Sequence, residues 1–308
     1  MDGCTLCPRK CNVLRAEGKS GFCTQTFDIR LSRAALHFYE EPCISGKNGS
    51  GAVFFSGCTL RCIFCQNMPI SRGRSGITVS VERLSDIFLE LQDKGAENIN
   101  LVTPTHYVLQ IKQALDLAKE KGLTLPVVYN TSCYELPETI KLLEDYVDIF
   151  LPDIKYVSYD LAEKFSSAGN YAEYAFAALD EMVRQVRDKG GACFDDRGLM
   201  KRGVIVRHLV LPGHVHESFA VLDRLYETYG NEICYSIMNQ YTPPQMVPGF
   251  DKEFRLKYDE LNRKLTKREY EKCIDHALEL GITNAFIQEG MTASESFIPS
   301  FDGTGVRE

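Results

Sequence analysis

Cys58, Cys62 and Cys65 stand at C-x3-C-x2-C spacing within Gly57-Cys58-Thr59-Leu60-Arg61-Cys62-Ile63-Phe64-Cys65-Gln66-Asn67. Three thiolates on one short loop can hold three irons of a cubane iron–sulfur cluster. The fourth iron then lacks a protein ligand nearby. Catalytic metals work through such an open position, as catalytic zinc does. Close cysteines also occur as small buried hydrophobes or as part of a zinc knuckle. A zinc site usually wants a fourth ligand at similar spacing, yet no Cys or His follows Cys65 until His106. The cluster reading is the stronger one.

A second group lies at the N-terminus, where Cys4-x2-Cys7-x3-Cys11 is followed by Cys23. Four cysteines are a complete tetrahedral zinc set, or a full set for a second iron–sulfur cluster. The bland alternative is a disordered tail with incidental cysteines, but four in so short a stretch is far from average usage. Zinc and iron–sulfur both stay open. Pro8, Gly18, Gly21, Arg9, Lys10, Arg15 and Lys19 lie between the thiols. Residues 1–45 show little helical or strand periodicity and are read as a separate cysteine-rich, metal-binding segment. So small a block buries little core, so a metal staple would help it fold. Cys43 stands alone and is read as structural.

The chain has 308 residues, 44% of them hydrophobic, and a net charge of −7. No Lys/Arg block suggests a duplex nucleic-acid partner. A peptide, protein or small-molecule substrate is favoured by default. No run of 18 apolar residues occurs, so no membrane span is expected. The opening Met1-Asp2-Gly3-Cys4 is not an apolar leader. Twelve cysteines in a chain without a leader read as ligands or catalytic thiols in a reducing cytoplasm.

The elements that must position the cysteine loop follow from alternating patterns over residues 50–308. Ala52–Ser56, Ile99–Val102, Val127–Tyr129, Val147–Leu151, Val204–Leu211, Cys234–Met238 and Ala285–Gln288 read as strands. Helices are placed over Val81–Lys94 behind the N-cap Ser80, over Tyr107–Lys121, and near Glu138–Asp145. Others cover Tyr171–Lys189 behind Asn170, Glu217–Tyr229, and Lys267–Leu280 behind a Thr266/Glu269 capping box. Gly95, Gly122 and Gly281 close three of these helices shortly before a strand. This βα alternation argues an α/β fold with a parallel sheet, as an open or partial barrel. A doubly wound sheet is the alternative; no G-x-G-x-x-G follows the first strand, which counts against a dinucleotide fold.

In parallel α/β folds the loops past the strand ends carry the chemistry. Here they supply Thr103-Pro104-Thr105-His106, Asn130-Thr131-Ser132 and Pro152-Asp153-Ile154-Lys155. Later strand ends add Arg207, His208 and His214, then Asn239-Gln240-Tyr241, then Gln288-Glu289. Any one of these is more often a cap or a solvated loop residue; their recurrence on one face raises the functional reading.

Nearly the whole chain resembles radical S-adenosylmethionine (SAM) enzymes, in a branch similar to pyruvate formate-lyase activating enzyme. The resemblance rests on Cys58-x3-Cys62-x2-Cys65 with Phe64 before the last cysteine, and on the N-terminal Cys-x2-Cys-Pro-Arg-x-Cys block. It also rests on Phe55-Ser56-Gly57-Cys58, Asn98-Ile99-Asn100-Leu101-Val102-Thr103-Pro104 and Arg207-His208-Leu209-Val210-Leu211-Pro212. It implies a partial (β/α)6-type barrel with a C-terminal strand and helix extension, and a [4Fe–4S] cluster on Cys58, Cys62 and Cys65. SAM would fill the open iron position and be cleaved by one electron to methionine and a 5′-deoxyadenosyl radical, which takes a hydrogen from substrate. An electron donor such as flavodoxin or ferredoxin is implied. Phe64 would pack near the adenine. The activating enzymes carry Gly-Gly-Glu where this chain has Thr103-Pro104-Thr105, so the hydroxyls of Thr103 or Thr105 would replace a carboxylate at the SAM amino group. Asn130 and Thr131 stand where those enzymes have Asp-Thr. Asp153 and Lys155 match Asp-Leu-Lys, with Lys155 neutralising the methionine carboxylate. His208 or His214 would face the ribose.

Three functions follow as expectations. One is a radical SAM oxidoreductase acting as a glycyl-radical activase. Another is radical SAM modification of a peptide, an RNA-derived group or a small molecule. The last is a non-catalytic iron–sulfur or zinc-binding protein.

Overall fold

The computed structural model describes residues 3–243, 258–288 and 299–307. Strand β1 (Ile29–His37) runs antiparallel to β2 (Ser50–Phe55), and β3 (Ile77–Val79) runs antiparallel to β1. Next come β4 (Ile99–Val102), β5 (Val127–Thr131) and β6 (Ile149–Pro152), then the short β7 (Cys193–Phe194) and β8 (Met200–Leu209), and finally β9 (Cys234–Met238) and β10 (Ala285–Ile287). The sheet order is β10-β9-β8-β6-β5-β4-β2-β1-β3, with β7 paired to β8 alone. Every neighbouring pair from β2 to β10 along that order is parallel. The two ends do not join. The result is an α/β fold around a mostly parallel, open sheet.

Strands β2, β4, β5, β6 and β9 are buried at every position. Strands covered on both faces need such continuous apolar runs, which made them visible in sequence. The helices between them bury one stripe each. Val81–Asp93 sets Leu84, Ile87, Phe88 and Leu91 into the core, and its N-cap Ser80 accepts from the Arg83 amide. Lys267–Leu280 starts with the Thr266/Glu269 capping box and ends on Gly281 in the left-handed region.

Several elements differ from the sequence reading. The nine-residue strand β1 lies within residues 1–45, where little periodicity was visible. Its bulge between Leu31 and Arg33 shifts the register and breaks the alternation that would reveal it. A helix over Tyr159–Ser166 and strand β3 were also unforeseen. The helix after Leu136 covers only Pro137–Lys141. Asn170 holds the N-cap position of the helix Tyr171–Asp188, but its side chain makes no capping bond; its Oδ1 accepts from the Tyr134 hydroxyl at 2.7 Å. Glu289 lies outside the described residues.

Candidate active site

The cysteine loop leaves the end of β2 through Ser56 and Gly57. Gly57 has φ +87°, and a Cβ there would meet the Cys23 carbonyl oxygen at 2.5 Å, so the position requires glycine. The loop is tied down from several sides. Arg61 and Ile63 amides donate to the Ser166 and Phe165 carbonyls at 3.1 and 2.9 Å. Arg9 Nε donates to the Thr59 carbonyl at 2.9 Å, and Arg61 Nη2 to the Phe22 carbonyl at 2.8 Å. Two sulfurs already accept hydrogen bonds. The Leu60 amide is 3.4 Å from Cys58 Sγ, and Ser166 Oγ is 3.0 Å from Cys62 Sγ.

Cys58, Cys62 and Cys65 line one cavity of about 240 Å3, which the parallel strand ends share with Phe64, Thr103, Asn130, Thr131, Asp153 and Lys155. Most residues singled out from sequence therefore converge. Thr103 closes β4 at φ +59°. A β-branched residue there stores about 1–3 kcal/mol of strain, a cost met mainly at functional sites. Its amide is held by the Asn130 carbonyl at 2.8 Å.

Arg207 and Glu40 also line the cavity and organise its polar wall. Arg207 Nε donates to Asp153 Oδ1 at 2.7 Å, Nη1 to Glu40 Oε2 at 2.9 Å, and Nη2 to Asn130 Oδ1 at 2.7 Å. Glu40 Oε1 also accepts from the side-chain amides of Asn100 and Asn130 at 3.0 and 3.2 Å. Lys155 Nζ reaches Asp153 Oδ2 at 2.8 Å rather than extending to solvent. Burial acts to raise the Asp153 carboxyl, but Arg207 and Lys155 outweigh it and hold the group below the usual range. Sequence reasoning noted Arg207 at a strand end without assigning it, and missed Glu40. No periodicity marks Glu40; only its place past β1 brings it to Arg207, 167 residues away in sequence.

Three expected site residues point elsewhere. Successive strand residues face opposite sides, so with Arg207 in the cavity, His208 faces away from it. His208 is buried, with Nδ1 at 2.7 Å from the Ile154 carbonyl and Nε2 at 2.9 Å from Ser218 Oγ. Burial lowers its pKa to about 4, so it stays neutral. Thr105 sits in a turn beyond β4, where its hydroxyl donates to Glu135 Oε1 at 2.6 Å. Burial raises Glu135 to about 7 despite hydrogen bonds from Thr105 and Thr131. His214 packs against Phe165, at a centroid distance of 5.2 Å, and is not a cavity residue.

Residues 52–225 match the radical SAM superfamily. The chain belongs to that superfamily. It is 28% identical over 285 residues to an uncharacterized protein of Methanocaldococcus jannaschii, covering 89% of this chain and 74% of that protein. Among solved structures it is similar to SuiB of Streptococcus suis, with 14% identity and a TM-score of 0.48, over 79% of this chain and 49% of SuiB. It is also similar to HydG, a maturase of the [FeFe]-hydrogenase, with 14% identity and a TM-score of 0.43, over 74% of this chain and 53% of HydG. The chain thus spans about half the length of these two structures.

The superfamily implies a [4Fe–4S] cluster and SAM, and the residues present fit a cluster. Burial, with Cys62 beside it, pushes the Cys58 thiol up to about 12, and burial raises Cys65 as well. A cluster needs its cysteines as thiolates, and cluster irons would supply the positive charge that keeps buried thiols ionised. Sulfurs spread around a shared cavity suit a cubane, whose irons sit at separate corners.

No helix among the described residues is long and apolar enough to cross a membrane.

Proposed function

We propose that this protein is a radical SAM enzyme that cleaves SAM reductively and uses the product radical to take a hydrogen atom from its substrate. The observation that carries the reading is the shared cavity: three cysteines on one side, and Lys155, Arg207, Asn130 and Thr103 on the strand ends facing them. The cavity would hold a [4Fe–4S] cluster, which would supply the one-electron reduction that splits SAM. The electron comes from a low-potential one-electron carrier, a flavodoxin or ferredoxin. Cys58, Cys62 and Cys65 would hold three of its irons. Lys155 offers its charge to the methionine carboxylate, and Asn130 offers a polar group at the strand end, whereas the Thr131 hydroxyl, expected there from sequence, is already donated to Glu135. Phe64, 7% exposed, gives the adenine an apolar surface. The Thr103 hydroxyl takes the place of the missing Gly-Gly-Glu carboxylate at the amino group.

The test is direct. Reconstituted and reduced without oxygen, the protein should convert SAM to 5′-deoxyadenosine, read by mass spectrometry. A chain that holds a reduced cluster and forms none sinks the proposal and leaves the non-catalytic metal-binding reading.

Within this reaction we propose an activase-like role on a glycyl-radical protein, supported by the resemblance to the activating enzymes. A glycine-centred radical signal in an anaerobic mixture with such a protein supports it. Mass change confined to a peptide, an RNA-derived group or a small molecule overturns it in favour of a modifying enzyme.

Lys155 provides a further check. A hydrogen bond to a charged group contributes about 1.5–3 kcal/mol. Lys155→Met should therefore weaken SAM binding about tenfold to a hundredfold, measured by calorimetry with the cluster intact. Unchanged affinity would remove Lys155 from the SAM site and reduce it to the partner of Asp153.

A further inference from the structure

Cys4, Cys7, Cys11 and Cys23 line a second, small cavity together with Arg15 and His106. The four thiols come from a stretch of 20 residues, yet the chain wraps them about one centre. The Phe22 amide donates to Cys11 Sγ at 3.4 Å, and a Cβ on Gly21 would meet that sulfur at 2.7 Å.

Two independent features point to a bound group among these thiols. Arg15 is 6% exposed and forms no ion pair among the described residues. Its guanidinium lies 4.0 Å from Cys4 Sγ and otherwise donates to the Thr26 and His106 carbonyls. A buried cation without a counter-charge is costly; a metal–thiolate centre carries net negative charge and would supply one. His106 is 2% exposed, and its Nε2 faces the Ser56 carbonyl at 2.7 Å. A carbonyl only accepts, so Nε2 carries the proton and Nδ1 is left with a bare lone pair. That nitrogen has no partner. A histidine held by one nitrogen on a backbone carbonyl, with the other free, is arranged as metal-ligating histidines are.

The spacing separates the two candidate metals. One zinc draws four sulfurs to about 2.3 Å from a common point and leaves no space between them. Here the four thiols line a cavity of about 10 Å3, room for roughly one water. The sulfurs therefore stand further out than zinc requires. We propose that Cys4, Cys7, Cys11 and Cys23 bind a second [4Fe–4S] cluster, with His106 lining the same cavity. Four thiolates occupy all four irons, so this cluster has no open position and does not bind SAM. Its place is next to the catalytic loop: His106 holds Ser56, Arg9 holds Thr59, and Cys23 lies against Gly57.

The experiment counts metal and does not depend on SAM cleavage. Cys58, Cys62 and Cys65 are all changed to Ala and the chain is reconstituted with iron and sulfide without oxygen. About four irons and four sulfides per chain should remain, and the reduced electron paramagnetic resonance spectrum should not change when SAM is added. About one zinc and no iron, or no metal at all, overturns the proposal. In case the triple variant does not fold, the unmodified chain gives a second reading: about eight irons per chain are expected, falling to about four in Cys7→Ser/Cys23→Ser. About four irons in both chains overturns it. A chain with about eight irons that fails to cleave SAM contradicts the proposed function and leaves this inference standing.

Discussion

Changing any one of Cys58, Cys62 or Cys65 to Ala is expected to lower formation of 5′-deoxyadenosine from SAM by on the order of a hundredfold or more. Loss of even an outer-shell partner of a metal ligand typically costs ten- to a hundredfold, and here a ligand itself is removed. The sulfurs are not interchangeable with neighbours: among the described residues no other cysteine lines the 240 Å3 cavity. The loop that carries them is fixed by backbone bonds to Phe165 and Ser166, so another thiol cannot swing in. Cys193→Ala is the matching control, because Cys193 is exposed on the β7–β8 hairpin. Product is read by mass spectrometry, with iron and sulfide counted in each variant. A triple Ala variant that still produces 5′-deoxyadenosine would show that the cluster is held elsewhere.

The cysteine loop was legible because spacing alone states its chemistry. The parallel strands were legible because strands buried on both faces are short, mostly apolar runs, several of them following glycine-closed helices. Ser80 and Thr266 marked helix starts because a cap is a local event, settled within three residues of sequence. What stayed hidden was set by distant contacts or by parity. At the end of β8, Arg207 and His208 are equally attractive candidates, and a strand presents only one of two neighbours to the site. The bulge in β1 removed the alternation that would have announced that strand, and with it the position of Glu40. Thr105 was carried off by Glu135, a buried acid that no motif signals.

Arg207→Met is expected to destabilise the folded protein by about 3–5 kcal/mol, the range for removing one partner from a buried ion pair. Arg207 is 13% exposed, Glu40 9% and Asp153 23%. Its three contacts join the end of β8 to β5, to the Asp153 turn after β6 and to the Glu40 segment after β1. Without it Glu40 loses its cation and Asp153 keeps only Lys155. The loss should appear as a lower urea midpoint in reconstituted protein. Arg207→Lys should fall between, since an ammonium cannot serve three partners on three segments as a planar fork does. The pH dependence has a fixed sign. Asp153 is held below the 3.8 of an ordinary Asp, so its pairing adds stability that is complete above that value. The contribution is lost as pH falls through the lower folded value. The Arg207→Met chain should therefore lose less stability than the parent when acidified below about pH 4. A midpoint shift corresponding to less than about 1 kcal/mol, the range of an exposed pair, would mean that solvent reaches the network and that Arg207 is free to turn toward a bound ligand.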